Sequence, residues 1–160
     1  MGDKRNPTTA IPSAHFPSAQ GEGAFRMVER NKGFAIRFDS GKQPGEMRVG
    51  RCGCSFCRRH GARTMGDPVG SIEFRCKPGS LSRYRFGLGI TDYLLCATCG
   101  AYVGAVMDDG DGPIGIVNVN SLDIRDTFDP APALHHYDGE DEARRRNRRR
   151  KFWMKATVIA

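Results

Sequence analysis

A mainly β fold is the prediction for this 160-residue chain, and three features carry it. Short apolar runs alternate with polar residues at period two, glycine-rich turns separate the runs, and five of the six cysteines fall into two tight knuckles. Apolar residues make up 39% of the chain and glycine contributes 20 positions, a profile that suits a loop-rich sheet better than a helix bundle. The length fits one domain with a single core.

Residues 1–23 are rich in Pro, Ser, Ala and Gly and lack periodicity, so they read as a flexible N-terminal arm. The expected β domain spans residues 24–137. Its first strand is Gly33-Phe34-Ala35-Ile36-Arg37-Phe38, followed by a turn over 39–45 and a short strand from Met47 and Val49 toward Cys52. Arg58 to Arg63 offers one helical turn ended by Gly61. Ile72, Phe74 and Cys76 then share one face of a strand, with Glu73 and Arg75 on the other. Further strands are expected at Leu81–Phe86, Tyr93–Leu95, Tyr102–Met107 and Ile114–Val119, with a hairpin turn over 108–113. The segment 138–160 is expected to be a basic helix and tail. Acidic Glu140, Asp141 and Glu142 open that helix and Arg148 to Lys151 close it, an order that complements the helix dipole.

The formal net charge is +7, yet seven cationic residues sit between Arg144 and Lys151, so the rest of the domain is nearly balanced. No apolar stretch approaches the ~18 residues a membrane span needs, and no apolar run follows Lys4 and Arg5 as a secretory signal requires. A cytoplasmic protein without membrane partners is the expectation. In that reducing setting cysteines are metal ligands or reactive thiols rather than disulfides.

The two knuckles are Cys52-x-Cys54-x-x-Cys57 and Cys96-x-x-Cys99-Gly100. Such spacings let sulfurs converge on one ion, and zinc takes about four ligands at roughly 2.3 Å. If each knuckle holds its own ion, Cys52, Cys54 and Cys57 leave an open fourth position; if they share one, the site is closed and structural. Cys76 reads as a core residue. His60 offers a fourth ligand or an orienting partner but reads first as a capping histidine. His135 and His136 read as structural or exposed. Asp108, Asp109 and Asp111 lack the spacing and terminal Glu of a calcium loop.

At Cys52-Gly53-Cys54-Ser55-Phe56-Cys57-Arg58-Arg59-His60-Gly61-Ala62 the sequence resembles the glutathione-dependent formaldehyde-activating family, which includes centromere protein V. Tyr84-Arg85-Phe86-Gly87, Cys96-Ala97-Thr98-Cys99-Gly100 and Val117-Asn118-Val119-Asn120-Ser121-Leu122-Asp123 support the likeness, which runs from about Gly33 to Trp153. The resemblance implies a β-tent, Mss4-like arrangement of antiparallel sheets held by zinc. It further implies that Cys52, Cys54 and Cys57 hold the zinc linked to activity, and that Cys96 and Cys99 belong to a structural site completed by an early Cys-x-Cys pair. Asn31 and Gly33 stand where that pair is expected, so the structural site is incomplete here.

The implied reaction joins a thiol to a small aldehyde, or cleaves such an adduct, as a carbon–sulfur lyase using zinc with glutathione as co-substrate. Zinc would polarise the aldehyde oxygen or hold the thiolate nucleophile. Three thiolates leave a zinc site formally at about −1, which Arg51, Arg58 and Arg59 are placed to offset; Arg58 and Arg59 are candidate anchors for glutathione carboxylates. The alternative is a non-catalytic zinc domain binding nucleic acid or protein through Arg144 to Lys151, with Phe152 and Trp153 alongside.

Overall fold

A computed structural model describes residues 25–31 and 33–160, with side chains from residue 33 onward, so the expected N-terminal arm lies outside the described residues. The chain is mainly β, as the alternation predicts. Eleven described strands form one mixed assembly: β1 (Phe25–Asn31), β2 (Phe34–Ser40), β3 (Val49–Cys52), β4 (Thr64–Met65), β5 (Ser71–Cys76), β6 (Leu81–Tyr84), β7 (Asp92–Cys96), β8 (Tyr102–Asp108), β9 (Pro113–Asn118), β10 (Leu134–His135) and β11 (Met154–Ile159). Two helices interrupt them, α1 (Ser55–Arg59) and α2 (Glu142–Arg150).

The sheet runs β1-β2-β5-β11-β9-β4-β3-β10, and β6, β7 and β8 branch from β9. Most pairs are antiparallel, but β11 runs parallel to β5 and β10 parallel to β3, so the expectation of purely antiparallel sheets is corrected. Strands β7 and β8 are buried on both faces. Leu94, Cys96, Val103 and Val106 face one cluster with Phe38, Phe74 and Val117, while Tyr93, Tyr102, Ala105 and Met107 face a second with Cys57 and Trp153. That double burial is why Tyr102–Met107 reads as a continuous apolar run. Gly104 lies where the strands press closest: a Cβ there would stand 2.6 Å from the Ile116 carbonyl oxygen and 2.7 Å from the Phe74 ring.

The C-terminal segment differs most from its expected form. The helix is confined to Glu142–Arg150, capped by the Asp141 side chain accepting from the Arg144 amide at 2.8 Å. Residues 154–159, expected as a tail, form β11 inside the sheet, with Met154 fully buried and Ala156 nearly so. The boundary expected at 137/138 therefore separates no independent unit, because β11 is hydrogen-bonded to both β5 and β9.

One topological detail positions the site. Strand β8 covers one edge of β9 along most of its length. Two strands share the other edge: β11 pairs with Ile114 and Gly115, and β4 pairs with Val117 and Asn118. Ile116 sits at the changeover and lines a cavity there.

Candidate metal centre and its pocket

Strand β3 ends at Cys52, and Gly53 carries the chain into α1. Gly53 tolerates no side chain without displacing His136, whose Nδ1 would lie 2.4 Å from a Cβ. Cys54 caps α1 in an extended conformation, and its Sγ accepts the Cys57 amide at 3.4 Å. One turn later Cys57 points back to the same spot. His60 closes the turn and Gly61, at φ +55°, ends it as expected, but the helix starts at Ser55, three residues before the expected turn, because Cys54 caps it.

The three sulfurs all lie within 4.8 Å of one another. A tetrahedral ion with bonds of roughly 2.3 Å needs sulfur–sulfur edges of about 3.8 Å, so small side-chain adjustments suffice to seat one. The donor set is soft and suits a thiophilic metal. No fourth histidine, carboxylate or cysteine joins the three among the described residues, so the cluster has an open side. The expected ligand residues Cys96 and Cys99 are not brought to it: Cys96 is buried in the other hydrophobic cluster and Cys99 is exposed. Cys76 packs beside that cluster, as expected of a core residue, and burial pushes its thiol up to about 11. His60 likewise stands outside the group, its ring 4.5 Å from Phe56 and 5.7 Å from Tyr102.

The thiols share protons unequally. A hydrogen bond from the Cys57 side chain holds Cys52 down to about 5 despite burial, helped by the Cys54 backbone and the positive charge of Arg148. Cys57 and Cys54 are raised, Cys57 chiefly by that same bond and Cys54 by burial. Before any ion arrives, the negative charge therefore rests on Cys52. Burial raises the phenols of Tyr93 and Tyr102, and the neighbouring thiolates add to the effect, so both remain hydrogen-bond donors at neutral pH.

Aromatic rings brace α1 from the sheet. Phe56 lies 4.7 Å from Tyr93 and 5.0 Å, edge-on, from Tyr102, and Phe86 lies 4.7 Å from Tyr93. Pairs of this kind contribute about 0.5–1.5 kcal/mol each beyond their buried area.

Beside the sulfurs opens a cavity of about 120 Å³, lined by Cys52, Cys57, Tyr93, Tyr102, His135 and Trp153 among others. His135 was expected to be structural, with no cysteine near it. Strand β10 instead sets it opposite Cys52, and its carbonyl accepts the Gly53 amide at 2.8 Å. A two-residue strand leaves no periodic trace in sequence, so this partner was not legible. The arginines are also redistributed. Arg58 and Arg59 are exposed and outside the cavity, whereas Arg48, Arg51, Arg148 and Arg149 line it.

Helix α2 is largely committed to the fold. Arg145 and Arg148 meet Glu140, Arg146 meets Glu142, and Arg150 meets Asp109. The Arg148–Glu140 pair is two-pronged, at 2.7 and 2.9 Å, and Arg148 also lies 3.5 Å above the Tyr137 ring. That hydrogen bonding holds the Glu140 carboxyl below its ordinary 4.5. A depressed carboxyl contributes stability above its unfolded value and loses it as pH falls through the folded one. Glu140→Gln is expected to cost about 1–2 kcal/mol at neutral pH. The gap between the melting curves of the two proteins should begin to narrow as the pH drops below about 4.5 and close only once it falls below the depressed folded value.

Fold and site together define a mainly β protein with a three-cysteine cluster able to hold a metal ion beside a small basic cavity. No family model matches the chain, and no curated protein matches its sequence. Among solved structures it is similar to a crystal structure of a Rhodobacter sphaeroides protein, at 25% identity and a TM-score of 0.50. The alignment covers 68% of this chain and 100% of that one. No helix of the described residues is long and apolar enough to cross a membrane.

Proposed function

We propose that the chain is a zinc-dependent carbon–sulfur lyase-type enzyme of the β-tent, Mss4-like class, joining or cleaving a thiol–aldehyde adduct such as S-hydroxymethylglutathione. The observation that carries this reading is the open Cys52–Cys54–Cys57 cluster facing a cavity. A fully ligated structural site would have no free position and no need of a cavity. Zinc held by the three thiolates supplies Lewis acidity to a carbonyl oxygen or holds a substrate thiolate. Tyr93 and Tyr102, kept protonated, offer hydrogen bonds to an oxygen as it gains charge. His135 lines the same cavity and is the candidate to take the thiol proton or return it.

Gly33 supports the family likeness. It abuts Ser80, whose carbonyl accepts the Ala97 amide beside Cys96, so an early residue meets the late knuckle where the family would place its second site. A side chain at Gly33 would come within 2.8 Å of Ser80 Cβ, which leaves no room for a cysteine as packed.

The test pairs elemental analysis with an adduct assay. One zinc per chain, unchanged in Cys96→Ser and absent after serine replacement of the triad, should accompany accelerated formation of S-hydroxymethylglutathione from glutathione and formaldehyde. Zinc without acceleration would leave a binding domain. For the nucleic-acid alternative, the α2 arginines already paired with carboxylates are less available to phosphates. Binding to mixed-sequence RNA that weakens steeply with salt would favour it.

A further inference from the structure

Resting on the catalytic reading above, the charge inventory of the cavity specifies its ligand further. Four arginines line it, and no aspartate or glutamate does. Glu140 neutralises Arg148. Arg48 stacks over Phe152 at 4.4 Å, and Arg51 donates to the Pro132 carbonyl at 2.8 Å. Neither has a carboxylate partner among the described residues. Arg149 is the most distinctive. It is 5% exposed, stacks over Trp153 at 4.3 Å, and donates to the Thr91 hydroxyl and to the Met107 sulfur at 3.4 Å. Tyr93, which also lines the cavity, brings it only a phenol, and its Nε has no acceptor.

A guanidinium remains charged when buried, and leaving one without a counter-charge is costly. Only Arg149 is buried in this way; Arg48 and Arg51 are exposed and hydrated, yet the three together still outnumber the formal −1 of a divalent ion on three thiolates, so the lining is net positive. The surplus calls for an anion. Size bounds that anion tightly: a cavity of about 150 Å³ accepts benzene, so the 120 Å³ here admits about five heavy atoms. Only the reacting end of a tripeptide fits inside.

We propose that Arg149 anchors the carboxylate of a compact 2-oxo acid, a two- or three-carbon aldehyde or ketone acid, with its carbonyl directed toward the Cys52–Cys54–Cys57 centre. A fork of guanidinium donors matches a carboxylate, and Arg149, with its unpartnered Nε, lines the same cavity as Cys52 and Cys57. The thiol then adds across the carbonyl: a carbon–sulfur bond forms, the carbonyl π bond breaks, and the thiol proton ends on the new hydroxyl. The balance requires no oxidant or reductant. The specificity of this site is thereby for a small 2-oxo acid, with formaldehyde as a minimal substitute lacking the anchor.

Trp153 is the sole tryptophan and lies against Arg149, so its fluorescence reports the cavity directly. Zinc-loaded full-length protein should respond saturably to glyoxylate and at least ten-fold more weakly to glycolaldehyde, which has the aldehyde but no carboxylate. Arg149→Met should lose the response about ten-fold or more, and Arg149→Lys should recover part of it. Should Arg149→Met fail to fold, the comparison of the two aldehydes on the unaltered protein still decides. Equal responses to both, or no saturable response to glyoxylate, would overturn the proposal. Saturable glyoxylate binding without adduct formation would instead sink the catalytic reading and leave the anion site standing.

Discussion

Serine at positions 52, 54 and 57 together is expected to abolish metal binding at the cluster and to lower the melting temperature by on the order of 10 °C. Structural zinc contributes folding free energy directly, about 10–16 kcal/mol in isolated finger peptides. Here two hydrophobic clusters already support the sheet, so a smaller share, about 3 kcal/mol, is expected to depend on the ion. The loss should be local first. Amides of Gly53, Arg58 and Ala62, bonded to His135, Cys54 and Cys57, secure α1 and β10 to β3. They should exchange faster with solvent than amides of β5 or β8. Chelating the native protein should reproduce both effects, with recovery on adding zinc. A metal-free protein that melts unchanged would remove the basis for a metal centre.

Ending the chain at Trp153 is expected to prevent cooperative folding altogether. Residues 154–159 hydrogen-bond to β5 on one side and β9 on the other, and they bury Met154 and Ala156. Losing the Met154 side chain alone forfeits about 1.5–3 kcal/mol of apolar burial, and both neighbouring strands would also expose their edges. Against a total stability of about 5–15 kcal/mol, that loss is decisive. Met154→Asp should mimic it, while Lys155→Ala, at an exposed position, should shift stability by less than about 0.5 kcal/mol. Urea denaturation followed by circular dichroism separates the three; a cooperative transition in the truncated chain would contradict the central placement of β11.

Sequence patterning made the sheet's interior legible where one residue's neighbours alone define it. Ile72 and Phe74 are buried with Glu73 between them, as their alternation predicts. The triad is legible for a similar reason: Cys52, Cys54 and Cys57 converge through one local turn, so spacing suffices. Strand β11 also alternates, Met154 and Ala156 buried against Lys155 and Thr157 exposed. The arginine run before it masks that signal. Pairing of Glu140 and Glu142 with arginines of α2 is accessible from spacing, whereas the Arg150–Asp109 pair is not, because Asp109 comes from a distant hairpin. Of the cavity lining, Arg51, Cys52 and Cys57 are legible in sequence, and the more distant members are not. His135 and Arg149 enter the cavity lining through the β10–β3 pairing and the docking of α2, and both are long-range events. Arg58 and Arg59 sit next to the cysteines in sequence, yet α1 turns them outward.

The shared edge of β9 also sets the order in which a functional molecule can come into being. Met154 and Lys155 must settle beside Gly115 and Ile114 while Thr64 and Met65 hold the adjoining stretch. During synthesis the cysteines emerge from the ribosome long before this junction can close. The cysteine turn is built from neighbouring residues alone and can take up an ion early, whereas the cavity wall at residues 148–153 waits for β11 to dock beside β9.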